Sequence, residues 1–251
     1  MQYLQPFLYF VRKPNTGYKN VLIGCLGTLV FVVGEIVLLG YRAKVSEELE
    51  RDPDLKDHPD VDLDRLAVYL QRGIWPYLVK FLSLMFLMSI GVVISAIVGI
   101  GVYQIVQEPI LAFGIFYLLY FVCFLLATTL VWPMEYHAQI TGKFAPLADF
   151  RFAIRFARTC WVSTFKAVLM HTMLSGLTLM LGLVLCGVGL YPAIVIVQMA
   201  EQHLMTQLYL LYLEEGGEPL IRPEVFDESR RDEEFEDDEP LKRAKRVDPM
   251  E

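Results

Sequence analysis

Residues 77–106 read YLVKFLSLMFLMSIGVVISAIVGIGVYQIV, thirty positions with very few charges. Eighteen or more apolar residues in a row, at about 1.5 Å of helix rise each, suffice to cross roughly 30 Å of hydrocarbon. The alternative for such a run is a buried core helix of a large soluble protein. The rest of the chain argues against that, because residues 20–41, 109–132 and 165–213 are similarly poor in charge. A chain of 251 residues cannot bury four such stretches in one water-soluble core. At about 30 residues, 77–106 exceeds one untilted crossing and must tilt, kink at Gly91 or Gly99, or protrude.

The other elements follow outward from this run. Gln107-Glu108-Pro109 is a short turn, so the next apolar segment, Ile110 to Trp132, packs antiparallel to the first. Upstream lies a first segment, Val21 to Tyr41, read as an uncleaved span because it is too long for a signal-peptide core. Downstream, two segments at 165–187 and 190–213 are separated by Cys186-Gly187-Val188-Gly189-Leu190-Tyr191-Pro192, a turn signal rich in glycine and proline. The fold class expected is therefore all-α: a polytopic transmembrane helix bundle of about five membrane segments. Two amphipathic interfacial elbow helices join them. In one, Leu63, Leu66, Ala67 and Leu70 follow helical spacing, the helix ending near Gly73 with Trp75 and Tyr77 as interface anchors. In the other, Asp149 to Trp161, Arg151, Arg155 and Arg158 form one cationic stripe with Phe152, Ile154 and Phe156 as apolar contacts, the pattern of a helix binding anionic lipid. Trp132-Pro133 is expected to end the third segment.

The chain divides into an interfacial N-terminal segment (1–19), a helical membrane domain (20–213) and an acidic tail (214–251). Residues 20–106 and 109–187 are read as an internal repeat, with 190–213 as an additional last span. The tail holds 15 acidic and 7 basic residues, too polar to offset chain entropy, and is expected to be disordered. It accounts for the net charge of −7, leaving residues 1–213 near neutrality. No basic patch suggests nucleic acid. The four cysteines form no CxxC pair and read as small buried hydrophobes.

Positive charge marks the cytoplasmic side. Residues 42–76 carry six Lys/Arg and 133–166 carry five, while the turns at 107–109 and 187–192 carry none. Both long intervals and the C-terminus are thus expected in the cytoplasm, the protein being multi-pass in the cell (inner) membrane. Five crossings then put the N-terminus outside, against the sign of Arg12, Lys13 and Lys19. A first segment that dips in and returns leaves four spans and a cytoplasmic N-terminus instead. Five crossings are the favoured reading, with the re-entrant first segment as the alternative.

Ionisable groups inside apolar runs are costly and are functional candidates by default. Glu35, His171, Glu201 and His203 stand out. On the last segment Gln198, Gln202 and Thr206 share one face, with Glu201 beside them. That stripe either lines a pathway or cavity or hydrogen-bonds neighbouring helices. The candidate intramembrane polar site is therefore Glu35, Gln198, Glu201, Gln202, His203 and Thr206. His171 is read as structural. Glu-x-His occurs at Glu135/His137 and Glu201/His203, but residues two apart on a helix face different ways, which disfavours a metal pair. No P-loop, HExxH, GxSxG or dinucleotide turn is present. No catalytic residue and no cofactor is expected. The partners expected are the bilayer and either another protein or a second copy of the chain.

One order of features resembles a known family. Gly40-Tyr41 closes the first segment, and Trp132-Pro133 and Thr141-Gly142 follow. Then come Leu183-Val184-Leu185-Cys186-Gly187-Val188-Gly189, His203-Leu204 and Gln207-Leu208-Tyr209. Over roughly residues 18–213 this resembles the prokaryotic membrane proteins grouped as domain of unknown function 4013. The resemblance implies a helical membrane fold in a prokaryotic cell membrane and brings no activity or catalytic residue with it.

Overall fold

The computed structural model describes residues 3, 4, 7, 14–28, 30–51, 59–144, 150–185 and 188–222. Expectations for most of the N-terminal segment 1–13, including Arg12 and Lys13, for Asp149 and the Cys186-Gly187 pair, and for the tail beyond Arg222 lie outside these residues. The described chain is helical throughout: α1 (Pro14–Thr28), α2 (Phe31–Arg51), α3 (Leu66–Val106, preceded by a 3-10 turn at Leu63–Arg65), α4 (Pro109–Thr141), α5 (Arg151–Val184) and α6 (Leu190–Glu214).

These six helices form three antiparallel hairpins. In the middle one, Gln107 takes the left-handed conformation (φ 58°) and its N–H caps Tyr103 O at 2.8 Å. Glu108 is extended, and Pro109 starts α4 where a missing N–H costs nothing. Gly91 meets Cys123 and Gly99 meets Phe116, which fixes the antiparallel register. The first hairpin departs from the favoured single crossing and follows the re-entrant alternative. Residues 20–41 are not one helix. The chain turns after Thr28 and comes back, and a Cβ on Gly34 would stand 1.6 Å from Gly27 O, so the two helix backbones touch. Asn20 completes the pairing: its amide donates to Tyr41 Oη (3.2 Å) and Pro59 O (3.2 Å) and accepts from Val61 N (3.2 Å). The beginning of α1 therefore lies beside the connector between α2 and α3, with Lys19 3.4 Å from Asp60. The three hairpin tips lie at one end, and the described connector residues 59–62 and 142–144 lie at the other.

The elbow helices differ from expectation in being continuous with their spans. The apolar–polar pattern at 63–74 passes directly into α3, which runs 41 residues with Pro76 inside it. Gly73 does not end the helix. It is a contact point, where an added Cβ would fall 1.7 Å from Ile36 O, and Gly40 similarly abuts Tyr69 O. Leu63, Leu66 and Leu70 are exposed, together with Asp64, Arg65, Val68 and Gln71. The basic segment begins α5 and is set off by a break at Cys160 (φ −119°, ψ 19°). Its Arg151, Arg155 and Arg158 are exposed, but Phe152 and Phe156 are buried against Tyr212 rather than presented outward. Trp132-Pro133 does not end α4 either. The helix continues to Thr141, where Gly142 (φ 60°) caps it through Ala138 O at 2.9 Å.

At about 1.5 Å per residue α3 is about 60 Å long, twice the hydrocarbon thickness. Its tip half and that of α4 expose large apolar side chains such as Phe86, Ile97, Ile105, Ile110 and Leu118. The connector-side half of α4 is buried among the other helices, with Val131 to Tyr136 all buried, as are Met199 to Thr206 of α6, whereas α3 buries only one side there, through Tyr69, Arg72, Gly73, Pro76 and Val79. The 63–106 segment, α4 and α5 are long and apolar enough to cross a membrane. Among the described residues α6 is not in that set. Its polar positions lower its hydropathy, and it sits inside the bundle.

Candidate functional site

Four charged side chains from four helices meet where the apolar halves give way to the buried bundle. Arg42 of α2 is wholly inaccessible and places Nη2 3.2 Å from Glu201 Oε2 of α6 and 3.4 Å from Glu135 Oε1 of α4. Lys80 of α3 closes the ring, its Nζ 3.0 Å from Glu201 Oε2 and 3.3 Å from Glu135 Oε2. Two cations and two carboxylates leave the cluster net neutral, the condition under which buried charges are tolerated.

A belt of neutral polar groups extends from it. Gln202 Oε1 accepts from Arg42 Nε (3.0 Å), and Gln202 and Gln139 exchange amide hydrogen bonds of 2.8 and 3.1 Å. Gln139 also donates to Leu39 O (3.2 Å), while the Gln202 amide and the Thr206 hydroxyl both reach Ser46. One turn toward the tips, Gln198 donates to Glu35 Oε2 at 2.6 Å. On the connector side Arg72 pairs with Glu47, and Glu50 accepts from Tyr136 (2.7 Å) and Arg222 (2.6 Å), tying the segment after α6 to the bundle. Burial alone would lower the Arg222 guanidinium pKa, but Glu50 and Glu47 outweigh it and hold the pKa above its ordinary value.

Of the residues singled out in the sequence, Glu35, Gln198, Glu201, Gln202 and Thr206 thus fall on one seam between α2 and α6. His203, though buried, makes none of these contacts, and its Nδ1 has no hydrogen-bond partner among the described residues. The basic stripe is separate, at the connector end, with Arg155 paired to Glu218. Arg42, Lys80 and Gln139 are not among the sequence candidates, and Glu135 enters there only in a disfavoured metal pair. Arg42 and Glu135 fall in intervals that read as solvated, and Lys80 stands alone in its apolar run. A signal was present: Arg42/Ser46, Glu135/Gln139 and Gln198/Gln202/Thr206 repeat a polar pair at i, i+4 on three helices, so that each can meet the others along one face.

One side of the cluster is open. Lys80 and Glu201 form the floor of a cleft of about 370 Å³ between α3, α4, α5 and α6, walled by Leu84, Phe124, Val131 and Leu179. Lys80 is the most accessible of the four charges, its side chain 26% exposed. His171, 8% exposed, also lines the cleft. Its Nε2 lies 3.2 Å from Ser175 Oγ, its ring packs on Trp132 and Phe7, and its Nδ1 is without a partner among the described residues. No group of three or more His, Cys, Asp or Glu that could hold a metal ion occurs among the described residues. Chemically, the arrangement offers hydrogen-bond donors and acceptors of both signs at the base of an apolar slot. Against known protein families, curated proteins and solved structures the chain has no match, so the family resemblance rests on the quoted residues alone.

Proposed function

We propose that this chain is a multi-pass integral membrane protein of the cell membrane that works by interaction, as a scaffold, assembly factor or accessory subunit, rather than by catalysis. The observation that carries this reading is the use of the α6 polar stripe. Gln198, Gln202 and Thr206 are each bonded to α2, and Glu201 faces two cations. Groups so engaged lock helices together; they are not free to hand a solute or proton along a path. The connectors 52–62 and 142–150, with the start of α1, are assigned to the cytoplasm, because the cations gather at that end and the three hairpin tips carry none.

Affinity purification in mild detergent, combined with crosslinking in native membranes, tests the proposal. A stoichiometric partner or a defined self-assembly is expected, and recovery of a bare monomer sinks it. The rival reading, a transport component, draws on the opening of Lys80 and Glu201 into the cleft. It requires a vesicle flux that is abolished by Glu201→Gln and Glu35→Gln.

A further inference from the structure

We propose that the cleft between α3, α4, α5 and α6 holds the headgroup of one zwitterionic phospholipid, with phosphate at Lys80, ammonium at Glu201, and the acyl chains running toward the hairpin tips. This rests on the membrane reading above and adds a ligand to it.

Three observations converge. The first is the order of the lining residues. Along α3 the cleft runs from Lys80 to Leu84, along α5 from His171 through Ser175 to Leu179, and along α6 from Glu201 to Val197. Each of these series goes from polar to apolar in the direction of the tips, while α4 contributes an apolar wall of Trp132, Val131 and Phe124 interrupted by Thr128. That is the polarity profile of a lipid in the leaflet on the connector side, headgroup at the interface and chains inward. The second is charge. The four-residue cluster is already neutral, so an added fixed anion or cation would be uncompensated in a low-dielectric site and disfavoured. A headgroup carrying both signs adds none. Lys80 has three N–H donors and two carboxylate partners, and the exposed part of its side chain lies in the cleft. His171 adds a buried ring nitrogen that lacks a partner. The third is size. At about 370 Å³ the cleft lies near the lower end of ligand pockets, roughly 300–1,000 Å³, which suits a headgroup and the first part of the chains but not a whole lipid.

Gly176 provides the test, because it lines the cleft and a Cβ there meets nothing within 4 Å. Gly176→Phe should fill the slot without touching the charges, and Leu179→Trp, one turn on, occludes it independently. Full-length protein is stripped of lipid in detergent and titrated with phosphatidylethanolamine, phosphatidylglycerol or diacylglycerol, and binding is read by native mass spectrometry. The expected result is one saturable equivalent of phosphatidylethanolamine whose binding weakens at least tenfold in both occluding variants, while phosphatidylglycerol held by the exposed arginines of α5 is unaffected by them. Unchanged phosphatidylethanolamine binding in those variants, non-saturable binding, or phosphatidylglycerol or diacylglycerol binding that the same variants weaken as strongly overturns the proposal. A protein that stays monodisperse without detergent overturns the membrane reading as well, whereas the lipid results bear on the cleft alone.

Discussion

Arg42 and Glu201, 159 positions apart in the chain, lie 3.2 Å from each other with the arginine fully shielded from solvent. The contact joins the returning arm of the first hairpin to the last helix, and Glu135 and Lys80 extend it to the middle hairpin. Every hairpin thus has a charge at stake in the same place, α5 excepted, which reaches it only through His171 in the cleft. A buried ion pair adds little net stability over a well-packed apolar replacement, because desolvation offsets the attraction. Its effect is on register: sliding any of the four helices by one turn would strand a charge.

Removing one partner should therefore be far worse than removing a matched pair. Arg42→Met leaves two carboxylates against one lysine, and the loss expected is about 3–5 kcal/mol. Arg42→Met combined with Glu201→Gln restores neutrality around Lys80 and Glu135, and about 1–3 kcal/mol should be recovered relative to the sum of the single effects. Lys80→Met should cost less than Arg42→Met, since Lys80 is partly solvated. Unfolding by SDS titration in mixed micelles, followed by circular dichroism, measures the parent, the three single variants Arg42→Met, Glu201→Gln and Lys80→Met, and the double variant. Additive single losses would show that the cluster is not one unit.

The crossing of α2 and α3 makes a second expectation. A Cβ at Gly40 would approach Tyr69 O to 1.8 Å, and one at Gly73 would approach Ile36 O to 1.7 Å. Both neighbours are backbone and cannot rotate aside. Gly40→Ala and Gly73→Ala should each destabilise by about 1–3 kcal/mol through forced separation of the helices. Gly101→Ala and Gly114→Ala, where a Cβ meets nothing within 4 Å, should be neutral or stabilise by up to about 1 kcal/mol. The same unfolding titration separates the two pairs. A Gly73→Ala variant as stable as its parent would contradict the packing described.

Hydropathy makes the long apolar helices legible, because the exposed tip halves of α3 and α4 are apolar nearly all round and need no partner to be recognised. It failed where the protein itself, rather than lipid, surrounds a helix. Residues 133–141 look like a solvated interval because they include Glu135, His137 and Gln139, yet these continue α4 into the bundle, with Glu135 and Gln139 paired and the His137 ring packed on Phe152. Residues 20–41 look like one span because composition carries no sign of direction. The turn at 29–30 lacks proline, and the close pairing of Gly27 with Gly34 is visible only when the chain is folded back. Of the candidate site, the stripe on α6 was readable from its spacing. Its complement was not, since Arg42 and Lys80 are recognisable as partners only once the helices are set side by side.

The exposed stripe of α5 yields a third expectation. Arg151, Arg155 and Arg158 lie near the connector end, and each cation close to an anionic surface is worth about 1 kcal/mol, roughly fivefold in affinity. Arg155 faces Glu218, which competes with lipid. Arg158→Gln should thus reduce the protein's preference for anionic lipid several-fold, Arg155→Gln should do less, and Glu218→Gln should raise the preference. Quenching of tryptophan fluorescence by brominated anionic lipid in reconstituted vesicles, with Trp161 adjacent to the stripe, measures the ranking. Loss of the preference at high salt should accompany it. Equal quenching in all variants would remove the stripe from any role at the lipid surface.

The sharpest distinction concerns sidedness. If residues 20–41 crossed the membrane once, Lys19 and Asp60 would face opposite compartments, and the cations near the start of the first segment would violate the charge rule that the rest of the chain obeys. The folded-back hairpin puts Lys19 3.4 Å from Asp60, makes the helix number even, and brings the start of α1 to the side of both connectors. Single-cysteine variants Lys19→Cys, Asp60→Cys and Lys143→Cys, in a background with the native cysteines replaced by serine or alanine, should then react with a membrane-impermeant maleimide from the same side. Glu108→Cys, at the tip of the middle hairpin, should react from the other. In sealed cells the first three are expected to label only after permeabilisation. Labelling of Lys19→Cys together with Glu108→Cys in intact cells would restore the single crossing and require the Asn20–Tyr41 and Gly27–Gly34 contacts to be abandoned, because no chain can make them without turning back.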